Sequence, residues 1–175
     1  MQMRIFRNLA LAVLFLAVLL AWVFTGFQPL FRTVTMERAG FAKSPAWQLK
    51  ALDGQLVKSS DFAGKVVILD FWATWCAPCK AEIPGFIELQ REFGDRGLVV
   101  VGVSVDDQGS QAVEDFAARM GINYPIVLGD VGLMKDFGGT AIPTTVVLDR
   151  SGTIVARHIG FTSKETFEND IKPLL

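Results

Sequence analysis

Hydrophobic and polar positions fall into blocks of different period along this chain, and each block predicts an element. Leu9 to Phe27 (LALAVLFLAVLLAWVFTGF) carries no charged residue. At helical rise this run is long enough to cross the hydrocarbon core of a bilayer, so it predicts a transmembrane helix. Residues 1–8 form a short tail ahead of it with Arg4 and Arg7. The run is longer than the core of a usual cleavable signal, and Thr25-Gly26-Phe27-Gln28-Pro29 offers no small-residue cleavage pattern. The segment 9–27 therefore reads as a retained signal anchor. Residues 28–44 (QPLFRTVTMERAGFAKS) have weak periodicity and mixed charge, and read as a tether.

From residue 45 the periods shorten and alternate. Trp47 to Leu52 and Gln55 to Lys58 flank Asp53-Gly54 and predict a hairpin. Lys65 to Phe71 (KVVILDF) is almost continuously apolar, as in the middle of a covered sheet. Cys76 to Phe93 predicts a helix, with Ile83, Phe86, Ile87 and Phe93 near one side and a bend at Pro84. Leu98 to Val105 (LVVVGVSV) predicts a second buried strand. Ser110 to Met120 places Val113, Phe116, Ala117 and Met120 at helical spacing and closes on Gly121. A short strand at Tyr124 to Leu128 and a short helix at Val131 to Phe137 follow. Thr144 to Asp149 and Thr153 to Ile159 are strands joined by Arg150-Ser151-Gly152. Thr162-Ser163-Lys164-Glu165 has the form of a capping box, and Phe167, Ile171 and Leu174 give the last helix its apolar side. The alternation predicts one α/β layered domain over residues 45–175, with a sheet that mixes parallel strands and a terminal hairpin.

Composition adds little to this picture beyond exclusions. Hydrophobic residues make up 51% of the 175, and much of the excess sits in the N-terminal run. The formal net charge is −1, and acids outnumber bases from Ser44 onward. No basic stripe interleaved with aromatics is present, which argues against nucleic acid as a partner. The basic residues flanking the apolar run are nearly balanced, so they do not set its orientation.

The chemistry is concentrated in Phe71-Trp72-Ala73-Thr74-Trp75-Cys76-Ala77-Pro78-Cys79-Lys80, which holds both cysteines of the chain. A c-type haem needs histidine after the second cysteine, where Lys80 stands. A structural zinc needs four N or S ligands; the chain has two cysteines and one histidine, His158, so zinc would require ligands from another chain. A static staple across two residues closes too small a loop to stabilise much. Reversible redox chemistry remains. A strand ending near Phe71 and a helix beginning near Cys76 put Cys76 at the helix N-terminus, where free N–H groups and the helix dipole favour its thiolate. Cys79, one turn later and facing inward, is placed to resolve a mixed disulfide formed at Cys76. Pro78 suits the first turn. Two acids lie near. Glu82 shares a helix side with Cys79 and is either a solvated glutamate or the base for the resolving thiol. Asp70 lies within an apolar strand and is either turned outward at its end or buried and functional.

These residues resemble the thioredoxin superfamily: the strand, the W-C-x-x-C, the helix start and Asp70 all match. Within it, Phe71-Trp72-Ala73-Thr74-Trp75-Cys76 and Cys79-Lys80-Ala81-Glu82-Ile83-Pro84 are similar to the membrane-anchored TlpA/ResA-like branch, related to the AhpC/TSA redoxins. The resemblance covers about Ala46 to Leu175. It implies a thioredoxin-like three-layer α/β/α fold with a mixed central sheet, an N-terminal β-hairpin and a central βα insertion at about Gly121 to Gly138. It implies a cis proline at Pro143, a backbone contribution of Ile142 to an extended substrate, and a groove walled by Trp75, Pro143 and Phe161 beside Ala77 and Pro78. Trp72 is expected in the core. The branch usually has asparagine where Asp70 stands, so the choice between Asp70 and Glu82 as proton acceptor stays open.

The resulting expectation is an extracytoplasmic thiol-disulfide oxidoreductase, anchored in the bacterial inner membrane with its domain on the periplasmic side. No metal and no cofactor beyond the Cys76–Cys79 disulfide is expected. Ala77-Pro78 supplies no cation to stabilise a thiolate, and two acids oppose one, which favours a reductant over a strong oxidant. The resemblance implies protein disulfide clients, such as apocytochrome c or copper-site proteins, and a membrane thiol reductase that relays electrons. Two competing readings are a copper module using Cys76, Cys79 and His158, and a peroxiredoxin-like peroxidase. The second requires Thr three residues before its cysteine, whereas Thr74 is two before Cys76.

Overall fold

The computed structural model describes residues 42–175; the tail 1–8, the apolar run 9–27 and most of the tether lie outside the described residues. Strands β1 (Gln48–Ala51), β2 (Leu56–Lys58), β3 (Val66–Trp72), β4 (Leu98–Ser104), β5 (Ile126–Leu128), β6 (Thr144–Leu148) and β7 (Ile154–Ile159) form one sheet in the order β2-β1-β5-β4-β3-β6-β7. β3 runs parallel to β4 and β4 to β5, while the pairs β1/β2, β1/β5, β3/β6 and β6/β7 are antiparallel. The helices are α1 (Ala77–Phe93), α2 (Ser110–Met120), α3 (Val131–Asp136) and α4 (Lys164–Ile171). This is the expected mixed sheet with an N-terminal hairpin and a β5–α3 unit in the middle of the chain.

β3 is apolar throughout because both its faces are covered; every one of its seven residues is buried. Val66 and Ile68 meet Phe86, Leu89 and Phe93 of α1 and Phe167 and Ile171 of α4. Val67, Leu69 and Phe71 point the other way, to Met134, Phe137 and Trp47. A third cluster joins Trp72, Cys76, Cys79 and Ile83 to Val113 and Phe116 of α2. The strand period of two therefore fixes the direction of Asp70: it continues the Val66–Ile68 side, towards α1 and the cysteines. Pro84 lies inside α1, which runs on through it.

Two local details depart from the sequence reading. Ala42 to Ser44, read as the end of the tether, already pair with the β6–β7 hairpin: Ser44 N–H donates to Gly152 O, Ile154 N–H to Ala42 O, and Lys43 bridges Thr153. The cap of α4 is Ser163, whose hydroxyl accepts from Thr166 N–H, one residue later than expected. The Thr162 amide is engaged elsewhere, as shown below. Arg150, read only as a turn residue, donates to the carbonyls of Gly64, Arg96 and Leu174 and so ties the hairpin to two neighbouring loops and the C-terminal turn.

The α1–α4 contact centres on Phe86 and Phe167, whose rings lie 5.0 Å apart, with Phe167 at 1% exposure. Truncating a buried phenylalanine leaves a cavity and costs about 3–5 kcal/mol. Phe167→Ala is expected to lower the unfolding free energy by about that amount in urea titrations, without loss of the disulfide.

Candidate active site

Cys76 is the N-cap of α1, with extended backbone, and Pro78 stands in the first turn. The free N–H groups of that turn find an acceptor in sulfur: the Cys79 amide donates to Cys76 Sγ at 3.2 Å. Cys76 and Cys79 are joined in a disulfide. In this oxidised form both residues are buried, Cys76 at 4% and Cys79 at 0% exposure, so Cys76 is more shielded than the accessible attacking position that the sequence predicts. Ala77 and Pro78 are exposed beside it.

The loop that delivers Cys76 is held from both ends. Cys76 N–H donates to Ala73 O, and Thr74 N–H donates to Asp106 Oδ2 at 2.5 Å. Asp106 follows β4 and takes a hydrogen bond from Gln108 N–H as well. Sequence reasoning missed Asp106; the available signal was an acid directly after a buried parallel strand, adjacent to the β3 exit. Trp75, at the turn, is 56% exposed, whereas Trp72 is buried in the core as expected.

Facing the cysteines, the Ile142–Pro143 peptide is cis. Ile142 packs against the cluster that contains Cys76 and Cys79. Pro143 is buried, and its carbonyl accepts from Gly160 N–H, which sets Phe161 beside it. Phe161 is 59% exposed. Trp75 and Phe161 thus present large apolar side chains to solvent on the turns beside the cysteine loop and the cis-proline loop. His158 is elsewhere: its Nε2 lies 2.7 Å from Asp170 Oδ2 and its ring meets Phe167 edge-on. Among the described residues no group of three or more His, Cys, Asp or Glu is placed to hold a metal, so the copper ligand set is not assembled.

Both acids are inside. Asp70 is fully buried and Glu82 is 4% exposed. Asp70 Oδ1 accepts from the Thr145 hydroxyl at 3.1 Å, because Thr145 on β6 is its register partner. Glu82 Oε1 accepts from Thr162 N–H at 2.6 Å and Thr162 Oγ1 donates to Gly160 O, so neither group serves a capping box on α4. Burial, and then the nearby charge of Glu82, push the Asp70 carboxyl well above its ordinary range, against the Thr145 hydrogen bond. Burial raises Glu82 from 4.5 to about 7, opposed by the Thr162 amide. A carboxyl poised there can take or give a proton at neutral pH. Glu82 lies three residues along α1 from Cys79, and Asp70 stands on the side of β3 that faces α1.

Known proteins share this architecture. A model of the AhpC/TSA family matches residues 42–157. Thioredoxin-like protein YneN of Bacillus subtilis is 32% identical over 152 residues, which cover 85% of this chain and 89% of that protein. Thiol-disulfide oxidoreductase ResA of Geobacillus kaustophilus is 30% identical over 174 residues, 99% of this chain and 97% of its own. Among solved structures, a thiol:disulfide interchange protein of the thioredoxin family from Chlorobium tepidum aligns with a TM-score of 0.69 at 32% identity, over 78% of this chain and 97% of that one.

The raised Glu82 value has a consequence for stability. The folded chain keeps this proton up to about pH 7, whereas the unfolded chain releases it near 4.5. Between those values the folded state binds more protons, so stability falls as pH rises and levels off above about 7. The fall attributable to Glu82 is up to about 3 kcal/mol. Glu82→Gln retains an acceptor for Thr162 and is expected to remove that part of the slope in urea titrations across the window; an unchanged pH profile would contradict the assignment.

Proposed function

The chain belongs to the AhpC/TSA family and is a thioredoxin-like thiol-disulfide oxidoreductase, and we propose that it acts as a dithiol reductant of particular protein disulfides outside the cytoplasm. The observation that carries the mechanism is the pair of unequal sulfurs: Cys76 at a helix N-terminus among exposed Trp75, Ala77 and Pro78, and Cys79 fully buried one turn later in a core that also holds two acids.

The reaction follows from those positions. In the reduced protein the Cys76 thiolate attacks one sulfur of a client disulfide. The client S–S bond breaks, a mixed disulfide forms, and the first client sulfur leaves as a thiolate that solvent protonates. Cys79 then gives its proton to a buried carboxylate, for which Glu82 is the better placed by its value near neutrality. The Cys79 thiolate attacks Cys76 Sγ, closes the intramolecular disulfide and expels the second client sulfur. Two electrons pass to the client. Half-buried Ile142 offers backbone to an extended client segment beside the buried Pro143, and Trp75 and Phe161 offer apolar cover.

The direction of flow rests on what is missing near Cys76. Ala77 and Pro78 carry no charge, and the buried neighbours are acids. A strong oxidant needs its reduced form stabilised, and the two residues between the cysteines add nothing to the helix terminus. Residues 9–27 serve as the bilayer anchor, with the domain on the periplasmic side of the inner membrane. Electrons for a reductant in that compartment come from a membrane thiol reductase. The clients are cysteine pairs that must be kept reduced for assembly, of the apocytochrome c or copper-site kind.

Cys79→Ala removes the resolving sulfur and is expected to accumulate mixed disulfides between Cys76 and clients in cells, separable on non-reducing gels and absent when Cys76 is also replaced. Folded, exported Cys79→Ala protein without adducts would contradict the client reading. The reduction potential is expected nearer the value of about −270 mV typical of thioredoxin than the value of about −120 mV of a strong oxidase; a potential at the oxidase end would reverse the proposed direction.

A further inference from the structure

Behind Cys79 the fold collects polar atoms that it leaves without protein partners. Among the described residues, Asp70 Oδ2, Trp72 Nε1, Glu82 Oε2 and the Tyr124 hydroxyl are buried and make no hydrogen bond. Tyr124 is the single tyrosine of the chain, and neither the exchange chemistry nor the groove makes use of it.

The sheet register gathers these atoms. Asp70 on β3 lies opposite Gly102 on β4, and Gly102 opposite Ile126 on β5, so the three positions share one face. A Cβ on Gly102 would stand 2.9 Å from Trp72 Nε1 and 3.3 Å from Tyr124 Cε2. The glycine thus lets the indole N–H and the tyrosine ring pack directly over the strand, at the position next to Asp70. Burial first, and then the charges of Asp70 and Glu82, hold the Tyr124 hydroxyl proton more tightly than usual. The hydroxyl therefore stays a donor. Two donors and two carboxyl oxygens line one interior region, and such sets are normally bridged by ordered water.

Tyr124 also reaches the outside. Its ring lines an open cleft of about 400 Å³ between the β1–β2 hairpin and α2, together with Leu52, Val57, Ala117, Ile122 and Ile126. That cleft belongs to the β2-β1-β5 half of the sheet. Pro143 and Phe161 belong to the β6–β7 half. A client seated on the cis-proline side covers the fully buried Cys79 from the front and leaves the hairpin-side cleft uncovered.

We propose that Trp72 and Tyr124 complete a buried polar cluster through which the proton of Cys79 leaves towards the hairpin-side cleft, away from the bound client. The proton passes from Cys79 Sγ to a buried carboxylate and then to this cluster. The thiolate so formed makes the bond to Cys76 Sγ and breaks the bond from Cys76 to the attached sulfur. That sulfur departs as a thiolate and takes its proton from solvent. The carboxyl returns its own proton to bulk by way of Tyr124 and the cleft, so charge and atoms balance over the cycle. Tyr124 is a positioning residue in this scheme. The proposal rests on thiol–disulfide exchange itself and is independent of the direction of electron flow and of the clients.

The two steps separate when the reduced full-length protein is mixed with dithiobisnitrobenzoate. The first thionitrobenzoate release reports attack by Cys76, and the second reports resolution by Cys79. Tyr124→Phe keeps the ring and removes the hydroxyl; it is expected to slow the second release at least about tenfold, a fraction of what positioned proton transfer contributes, with the first release unchanged within about twofold. Ala117→Trp fills the cleft and leaves Tyr124 in place, and it is expected to slow the second release in the same selective way. A second release at the original rate in either folded variant, or equal slowing of both releases, would overturn the exit route. Failure of the protein to react with the reagent at all would instead contradict the oxidoreductase assignment.

Discussion

One hydrogen bond orders the chemistry of this protein: the Cys79 amide donates to Cys76 Sγ across the first turn of α1. A helix must leave its first N–H groups unsatisfied by its own carbonyls. Here one of those donors is directed at sulfur, so the same constraint that starts the helix stabilises negative charge on the attacking atom. Everything around it serves to hold the turn. Asp106 fixes Thr74 from the end of β4, Ala73 accepts from Cys76, and Ile83 with Phe116 and Trp72 closes the core beneath. The spacing of three residues then places the second sulfur under the first, out of solvent.

That inward position creates the second requirement. A buried thiol cannot hand its proton to water, and a buried carboxylate is costly. The protein answers both with acids that are partly neutralised by burial. Asp70 is tied to Thr145 and Glu82 to the Thr162 amide. The Glu82 bond reaches the turn that carries Phe161, so the buried acid on α1 and the exposed aromatic turn are mechanically linked. Two carboxyl groups in one low-dielectric region oppose each other's ionisation, so each holds a proton more tightly than it would alone.

Much of this was legible in the sequence, for identifiable reasons. The blocks of period two and period 3.6 gave the element order, because covered strands such as Val66–Trp72 and amphipathic helices such as Ser110–Met120 leave strong one-dimensional signatures. The cysteine spacing assigned the roles of Cys76 and Cys79, and an acid in an apolar strand marked Asp70. Whether Asp70 and Glu82 were buried depended on packing between α1, β3 and β6, which no single stretch records. The Thr162 amide was misread because a capping box and a carboxylate partner 80 residues away compete for it, and only the second is non-local. Asp106 and Tyr124 escaped notice because each lies on one side of a contact whose other side is far along the chain. The isomer of the Ile142–Pro143 bond came from resemblance and not from the residues themselves.

The most direct test of the unequal-sulfur account is the alkylation of the reduced protein by iodoacetamide as a function of pH, with each modified cysteine located by mass spectrometry. The account predicts that Cys76 alone reacts in the folded state, with a midpoint below the value of about 8.5 for a free cysteine, and that Cys79 reacts only after unfolding. Comparable rates at both sulfurs, or a Cys76 midpoint at or above the free value, would contradict it.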